Sequence, residues 1–307
     1  LDAQCRRITL RALGRSVLGV DLDQSAERIA NSLNTALAYI ADRSGSPLRV
    51  PGWVPTLARR RARRAAAVLC DLSSEVLREC RRDASRDAPL VRALMEAIDP
   101  ETGQRLSDNE IRDQLIIFMV AGHDTTATTL TYALWQLGRH PELQGRAAAE
   151  LAAIGDREMI ADDVAALPYI NAVVHEALRL CPPSPALGRT ATRDIEVDGY
   201  RVPAGSLVIY GTAAVQRDPA LWDRPDEFDP DRFLGAAAKS RDRWQYAPFG
   251  AGPRTCIGDH FAMLEATLAL ATVLRRIEVT SVDDDFPVEF PFTMVAAGPI
   301  RAVAHRR

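Results

Sequence analysis

Lysine is almost missing from this 307-residue chain: Lys239 is the sole example, and arginine supplies the rest of the 38 basic residues. That skew reads as coding bias and carries no mechanistic weight. A basic excess is missing too, since 41 acidic residues leave a formal net charge of −3, which argues against a general nucleic-acid binder. The five cysteines, Cys5, Cys70, Cys80, Cys181 and Cys256, are scattered, odd in number and without close pairs. This excludes a disulfide scaffold or a structural zinc site and predicts a reducing, cytoplasmic setting. No apolar run is long enough to span a membrane; the one from Leu115 to Val120 is bounded by Asp113 and His123. The opening Leu1-Asp2-Ala3-Gln4 has neither an initiator methionine nor a signal-peptide pattern, so the chain reads as starting mid-domain.

What is present is ordinary globular material, 47% hydrophobic and 26% charged, enough for a large core in one domain or two. Residues 1 to about 165 read as helix after helix, with breaks at Gly45-Ser46-Pro47, Pro51-Gly52 and Asp99-Pro100. The clearest element starts at Ser107, which forms a capping-box pattern with Glu110, and runs to the stop at His140-Pro141. Further helices start at Pro141 and Pro168, the second ending at Cys181-Pro182-Pro183. Beyond Pro183, Ile195–Val197, Tyr200–Val202 and Leu207–Tyr210 read as short strands, with a hairpin turn at Asp198-Gly199. A Pro- and Asp-rich stretch from Arg217 to Phe233 follows, then a glycine-rich loop, a helix from about Asp259 to Arg276, and a last hairpin between Phe286 and Ala304.

The glycine-rich loop carries the sharpest chemistry. It reads Phe249-Gly250-Ala-Gly252-Pro-Arg254-Thr-Cys256-Ile-Gly258, with a lone cysteine at a helix start and two residues after an arginine. Helix N-terminal amides and a nearby cation favour a thiolate, which serves as a nucleophile or a metal ligand. A lone cysteine more often behaves as a small apolar core residue. Five fixed positions at about 1 in 20 each, over about 300 starts, give a chance match on the order of one in ten thousand.

The loop resembles the ligand loop of the cytochrome P450 family, Phe-x-x-Gly-x-Arg-x-Cys-x-Gly, at every fixed position. The resemblance implies that Cys256 binds the iron of haem b (iron protoporphyrin IX) as thiolate and favours O–O cleavage. It implies that Arg254 pairs with a haem propionate, that Phe249 packs near the sulfur, and that Gly250, Gly252 and Gly258 shape the loop. Within the long helix, Ala121-Gly122-His123-Asp124-Thr125-Thr126 is a costly interruption, since glycine alone costs about 1 kcal/mol in a helix interior. In the family this helix crosses the distal face of the haem. Ala121 and Gly122 then match its small pair, and Asp124 and Thr125 its acid and threonine, which manage protons at bound dioxygen. His123 reads as a polar helix residue without partners.

Glu176 and Arg179 lie three apart on one helical face, a spacing that usually means a weak surface ion pair. The family has this Glu-x-x-Arg pair meeting a later arginine, matched here by Arg232, in a structural role. Arg189 matches a strand arginine that meets the other propionate. The implied fold is mainly α with small β-sheets, a cytochrome P450-like fold lacking its N-terminal part. It forms one domain over 1–307: a helical part (1–180), a small sheet with the Pro-rich segment (184–235), and the ligand loop with its helix (249–276). No Trp-x-x-x-Arg pattern for a propionate occurs, which predicts weak haem retention.

The implied activity is that of a bacterial, cytoplasmic monooxygenase, inserting one atom of dioxygen into a small apolar substrate; the Ala-Gly-His-acid-Thr-Thr form is similar to that of lipid- and fatty-acid-oxidising members and points toward long-chain or terpenoid-like molecules. Electrons are expected from a separate ferredoxin or flavodoxin-type partner, with no nucleic acid and no membrane span. A peroxide-driven enzyme, a haem-binding but catalytically inert fragment, and a cysteine-nucleophile hydrolase are the competing readings. The last lacks a histidine partner beyond His260 and leaves the acid-threonine helix without purpose.

Overall fold

The computed structural model describes residues 1–22, 26–45, 50–51, 53–155 and 157–307. The breaks expected at Gly45-Ser46-Pro47 and Pro51-Gly52 fall largely on residues 46–49 and 52, outside that range. Helices come first: α1 (Asp2–Leu13), a π-helical turn (Gly14–Leu18), α2 (Ala26–Gly45), α3 (Leu57–Arg82), α4 (Pro89–Glu96), α5 (Asp108–Arg139), α6 (Pro141–Ala152) and α7 (Pro168–Leu180). Strands β1 (Leu187–Thr190), β2 (Ile195–Val197), β3 (Tyr200–Val202) and β4 (Leu207–Tyr210) follow. Short helices α8 (Thr212–Val215) and α9 (Gly235–Lys239) precede α10 (Asp259–Arg276), and β5 (Ile277–Ser281), β6 (Val288–Glu289), β7 (Val295–Ala296) and β8 (Ala302–Arg306) close the chain.

Local chemistry explains the helix starts. Ser107 and Glu110 close a reciprocal capping box: the Glu110 N–H donates to Ser107 Oγ at 3.3 Å, and the Ser107 N–H to Glu110 Oε2 at 2.8 Å. Pro168 opens α7, and the two carboxylate oxygens of Glu150 accept the Tyr169 and Ile170 N–H groups at 2.7 and 3.0 Å. A buried helix end thus has its amides satisfied by α6. The β2–β3 hairpin turns at Asp198 (φ 50°) and Gly199 (φ 78°), the two left-handed residues that a tight two-residue turn requires.

The chain forms two compact units. One comprises residues 2–127 and 288–299, the other Leu1, 128–287 and 300–307. In the second unit, β5 pairs antiparallel with β8, Ile277 facing Arg306 and Ser281 facing Ala302. The short hairpin expected between Phe286 and Ala304 is β6 paired with β7, while residues 302–306 pair with a strand directly after α10 that periodicity missed. Two contacts from helices fix β5. The Gln144 side chain brackets Val279, accepting its N–H at 2.8 Å and donating to its carbonyl at 2.9 Å. Gly138 leaves room for Ser281, whose Oγ would lie 2.5 Å from a Cβ placed there.

Glu265 of α10 is buried, and neither carboxylate oxygen has a hydrogen-bond partner among the described residues. Burial raises its pKa from 4.5 to about 8, so the folded unit holds the group as a neutral acid at pH 7. The unfolded chain releases this proton near 4.5 and the folded one near 8. Stability therefore falls by about 1.4 kcal/mol per pH unit between those values and is flat outside them. Glu265→Gln is expected to gain about 3 kcal/mol at pH 7 and nothing at pH 4. Urea denaturation at both pH values checks this, and an equal effect at the two would show that Glu265 ionises normally.

Candidate functional site

The best-built polar cluster of the second unit centres on α7. Glu176 and Arg179 are both 0% exposed, although their three-residue spacing reads as a surface pair. The Arg179 guanidinium has five N–H groups, and five contacts meet them. Nε and Nη2 donate to the Glu176 carboxylate at 2.7 and 2.8 Å; Nη1 donates to the Gln216 and Pro225 carbonyls at 2.9 and 2.6 Å; Nη2 also donates to the Glu227 carbonyl at 3.0 Å. Trp222 covers the guanidinium at 4.9 Å from its ring centre. Glu176 Oε1 in turn accepts the Asp229 N–H at 2.9 Å and lies 3.4 Å from Arg232 Nε. Arg232 reaches back to the carbonyls of Asp223 and Arg224 at 2.5 and 2.9 Å. The structure thus brings Glu176, Arg179 and Arg232 together, and with them ties the irregular 216–232 stretch to one helix.

Gln216 belongs to this cluster as well, fully buried. Its side-chain amide donates to the Leu178 and Arg179 carbonyls at 3.0 Å each, while Arg217 Nη2 donates to Leu180 O at 2.7 Å. These bonds satisfy the orphan carbonyls at the C-terminal end of α7. The only local signal was a polar pair opening a Pro-rich stretch.

Next along the chain is the cysteine loop. Gly250 and Gly252 hold φ angles of 74° and 76°, which side-chain-bearing residues avoid. A Cβ on Gly250 would touch Leu187 of β1 at 3.4 Å, so the glycine also lets the strand approach. The Cys256 N–H donates to the Phe249 carbonyl at 2.9 Å, closing the loop, and Gly258 sits beside the sulfur, 4.0 Å from where its Cβ would be. Two residues separate the cysteine from α10, whose N-cap is Gly258. Of the five cysteines, Cys256 alone is exposed, with Ile257 beside it 85% exposed and Phe249 half-buried. Arg254 is exposed two residues before the cysteine. Arg189 is exposed on β1, its Nη1 donating to Gly188 O at 2.8 Å.

These residues fit haem. One exposed cysteine lies at the start of α10, in a loop whose glycines leave the backbone bare beside the sulfur. A haem needs one axial side chain from the protein on the thiolate side.

In the first unit, α5 passes through Ala121–Thr126 as continuous helix. Thr125 Oγ1 donates to Ala121 O at 2.7 Å, and Asp124 is buried. Arg6 of α1 forms an ion pair with Asp124 and also bonds Asp2 at 3.0 Å. His123 is buried as well, its Nδ1 3.0 Å from Asp124 Oδ1, although neither ring nitrogen has a partner in hydrogen-bond geometry among the described residues. Burial pushes the Asp124 carboxyl up, but His123 and Arg6 outweigh it and hold the group below its ordinary value of 3.8. Ala121 is exposed, while Gly122 faces α1, where an added Cβ would meet Leu13 at 3.3 Å. Arg6 lies 118 residues from Asp124, and nothing in the sequence pairs them.

The cytochrome P450 family model matches residues 4–302, and this chain belongs to that family. It is 36% identical over 271 residues to the cyclooctat-9-en-7-ol 5-monooxygenase of Streptomyces melanosporofaciens, covering 88% of this chain and 59% of that protein. It is 35% identical to the pentalenene oxygenase of Streptomyces avermitilis, covering 89% of this chain and 61% of that one. The crystal structure of the cytochrome P450DA heme domain superposes with a TM-score of 0.89 at 30% identity, over 100% of this chain and 68% of that one. The chain therefore has the mainly helical P450 fold with small antiparallel sheets, and it spans about six-tenths of the length of these curated relatives.

Because both charges of the α7 pair are fully buried, removing either strands the other. Glu176→Gln or Arg179→Met is expected to cost about 3 to 5 kcal/mol. Urea midpoints of the purified variants check this, and a change below about 1 kcal/mol would reduce the pair to the weight of a surface contact.

Proposed function

We propose that this chain is the haem-thiolate part of a monooxygenase, with Cys256 as the axial iron ligand. The observation that supports it best is the loop itself: a single exposed cysteine, closed onto Phe249 and shaped by left-handed glycines, at the start of α10. Haem b, when bound, supplies the activation of dioxygen. The chain's own residues then divide the remaining work. Cys256 would hold the iron as thiolate, Arg254 and Arg189 would offer guanidinium groups to the propionates, and the small residues Gly250, Gly252 and Gly258 would keep the loop open to a flat ligand.

Thr125 and Asp124 are assigned to proton handling, with Ala121 and Gly122 as the small residues beside them. His123 and Arg6 hold the carboxylate ionised, so that it accepts hydrogen bonds from water and orients it, and the Thr125 hydroxyl donates to Ala121 O one turn back on the same helix. Relatives named for cyclooctat-9-en-7-ol and pentalenene support a small apolar, terpenoid-like substrate. A separate ferredoxin or flavodoxin-type donor would supply electrons, in a cytoplasmic setting. The competing reading is a haem-binding chain without turnover.

Two measurements separate these readings. The reduced, carbonyl-bound chain is expected to show the red-shifted Soret band of a thiolate haem, and Cys256→His to lose it. Survival of that band in Cys256→Ser would remove Cys256 as ligand. In steady state with a redox partner, Thr125→Ala is expected to go on consuming NAD(P)H while forming less product and more peroxide. Unchanged product per NAD(P)H would remove Thr125 from proton delivery, and a thiolate spectrum with no product from any apolar substrate tried would favour the inert reading.

A further inference from the structure

Surface arginines elsewhere in this chain find an acid: Arg81 pairs with Asp108, Arg146 with Asp231 and Arg301 with Asp283. The first half of α3 departs from that habit. Residues 57–70 hold Arg59, Arg60, Arg61, Arg63 and Arg64 and no carboxylate, in a chain whose net charge is −3. Arg61 and Arg64, together with Arg28 of α2, line an open groove between the two helices that the oxygenase reading leaves without a use. Among the described residues none of these three is in an ion pair, not even with Glu27, the acid of the groove's lining.

Each helix contributes one stripe. Arg28, Asn31, Ser32 and Thr35 lie at i, i+3, i+4 and i+7 on α2, and Arg61, Arg64, Ala65 and Val68 repeat the spacing on α3. Packed helices normally turn apolar stripes to each other, yet the α2 stripe has no apolar member. The groove holds about 620 Å³ and each stripe runs about 10 Å, the scale of a small-molecule site. Ser32 and Ala65 are buried at its base, while Arg28, Asn31, Arg61 and Arg64 are exposed. Its hydrogen-bonding groups are sorted by kind. Ser32 Oγ donates to Arg28 O at 2.8 Å and Thr35 Oγ1 to Asn31 O at 2.7 Å, so both hydroxyl hydrogens are committed to the helix and the oxygens are left as acceptors. The donors on offer are the three guanidinium groups and the Asn31 amide. Three cations against one carboxylate leave an excess of positive charge.

Guanidinium forks match phosphate oxygens in pairs and hold them by charge-assisted hydrogen bonds. A bare phosphate would fill a small part of this space and leave the hydroxyl acceptors unused. A ligand that carries hydroxyl donors beside its phosphates uses both, and a flat base has the small apolar surface of Ala65 and Val68 to lie on. We propose that the groove between α2 and α3 binds a nucleotide, with its phosphates on Arg28, Arg61 and Arg64 and its sugar hydroxyls donating to Ser32 and Thr35. The assignment is independent of the haem reading, because every residue it uses lies on these two helices.

Equilibrium dialysis of the purified 307-residue chain tests this. ADP is expected to bind more tightly than AMP, adenosine far more weakly than either, and inorganic pyrophosphate to displace ADP, all with affinities that fall as salt rises. Joint substitution Arg61→Gln and Arg64→Gln should weaken ADP on the order of a hundredfold, since each change removes a charge-assisted contact. Ser32→Ala with Thr35→Val should weaken ADP on the order of tenfold and leave pyrophosphate unchanged, a split that simple loss of fold would not produce. Both arginines are exposed, so their variant is expected to fold, and far-ultraviolet circular dichroism of each variant verifies it. Absence of ADP binding, adenosine binding as tightly as ADP, or an ADP affinity unchanged in the double-arginine variant would overturn the proposal. So would capture of the chain by phosphatidylglycerol vesicles under conditions where neither ADP nor pyrophosphate binds.

Discussion

The irregular half of the second unit depends on one buried cation. Residues 216–232 have little regular structure and cannot satisfy their own carbonyls, yet several of those carbonyls are buried against α7. Arg179 meets three of them and Arg232 two more, while Glu176 neutralises the charge this brings inside. A lysine could not substitute, having three donors on a point charge where five are used in a planar fork. Burying such a pair does not by itself favour folding, because desolvation takes back most of the Coulomb gain. What it secures is geometry, since the pair is satisfied only when every partner of the 216–232 stretch is in place.

The acid of α5 shows the same physics with a different outcome. Asp124 is also buried and paired to an arginine, but its pair is small: Arg6 on one side, the ring of His123 on the other. Thr125 beside it satisfies its hydroxyl within the helix, at Ala121 O. This bond accounts for the uninterrupted helix through a run of poor helix formers, because the polar side chains are absorbed locally or by α1 and do not compete for the backbone. A carboxylate held by a single cation can exchange partners at lower cost than one held by a network. The structural acid and the acid proposed to handle protons are thereby distinguished by the number of their partners, not by burial.

How much of this was legible in the sequence depends on whether the partner was near in the chain. The capping box at Ser107 and Glu110, the proline starts of α6 and α7, and the Asp198-Gly199 turn were all legible because both members of each interaction lie within four residues. The strand at 277–281 was not. It follows α10 without a break, and what makes it a strand is β8 together with the Gln144 amide, more than a hundred residues away on α6. Arg6, Gln216 and Glu265 were illegible for the same reason: an arginine, a glutamine and a glutamate in helical or loop contexts are solvent-facing by default. The cysteine loop was the exception, legible over a distance because glycine, arginine and cysteine at fixed spacing have few other uses.

The distribution of burial between these clusters bears on how such a loop can work. Cys256 and its neighbours are exposed and form few side-chain bonds, so the loop's own shape comes from backbone terms: two left-handed glycines and the Cys256–Phe249 hydrogen bond. Rigid surroundings have to replace what the loop lacks in packing. On one side Gly250 lets Leu187 of β1 lie against it, and on the other α10 runs directly from Gly258 into the core through Ala266, Leu270 and Leu274. The thiolate ligand proposed at Cys256 would need its donor atom open to one flat partner and its backbone held still. Putting the satisfied charges and the apolar packing elsewhere, and leaving glycine at the sulfur, meets both requirements with one short segment.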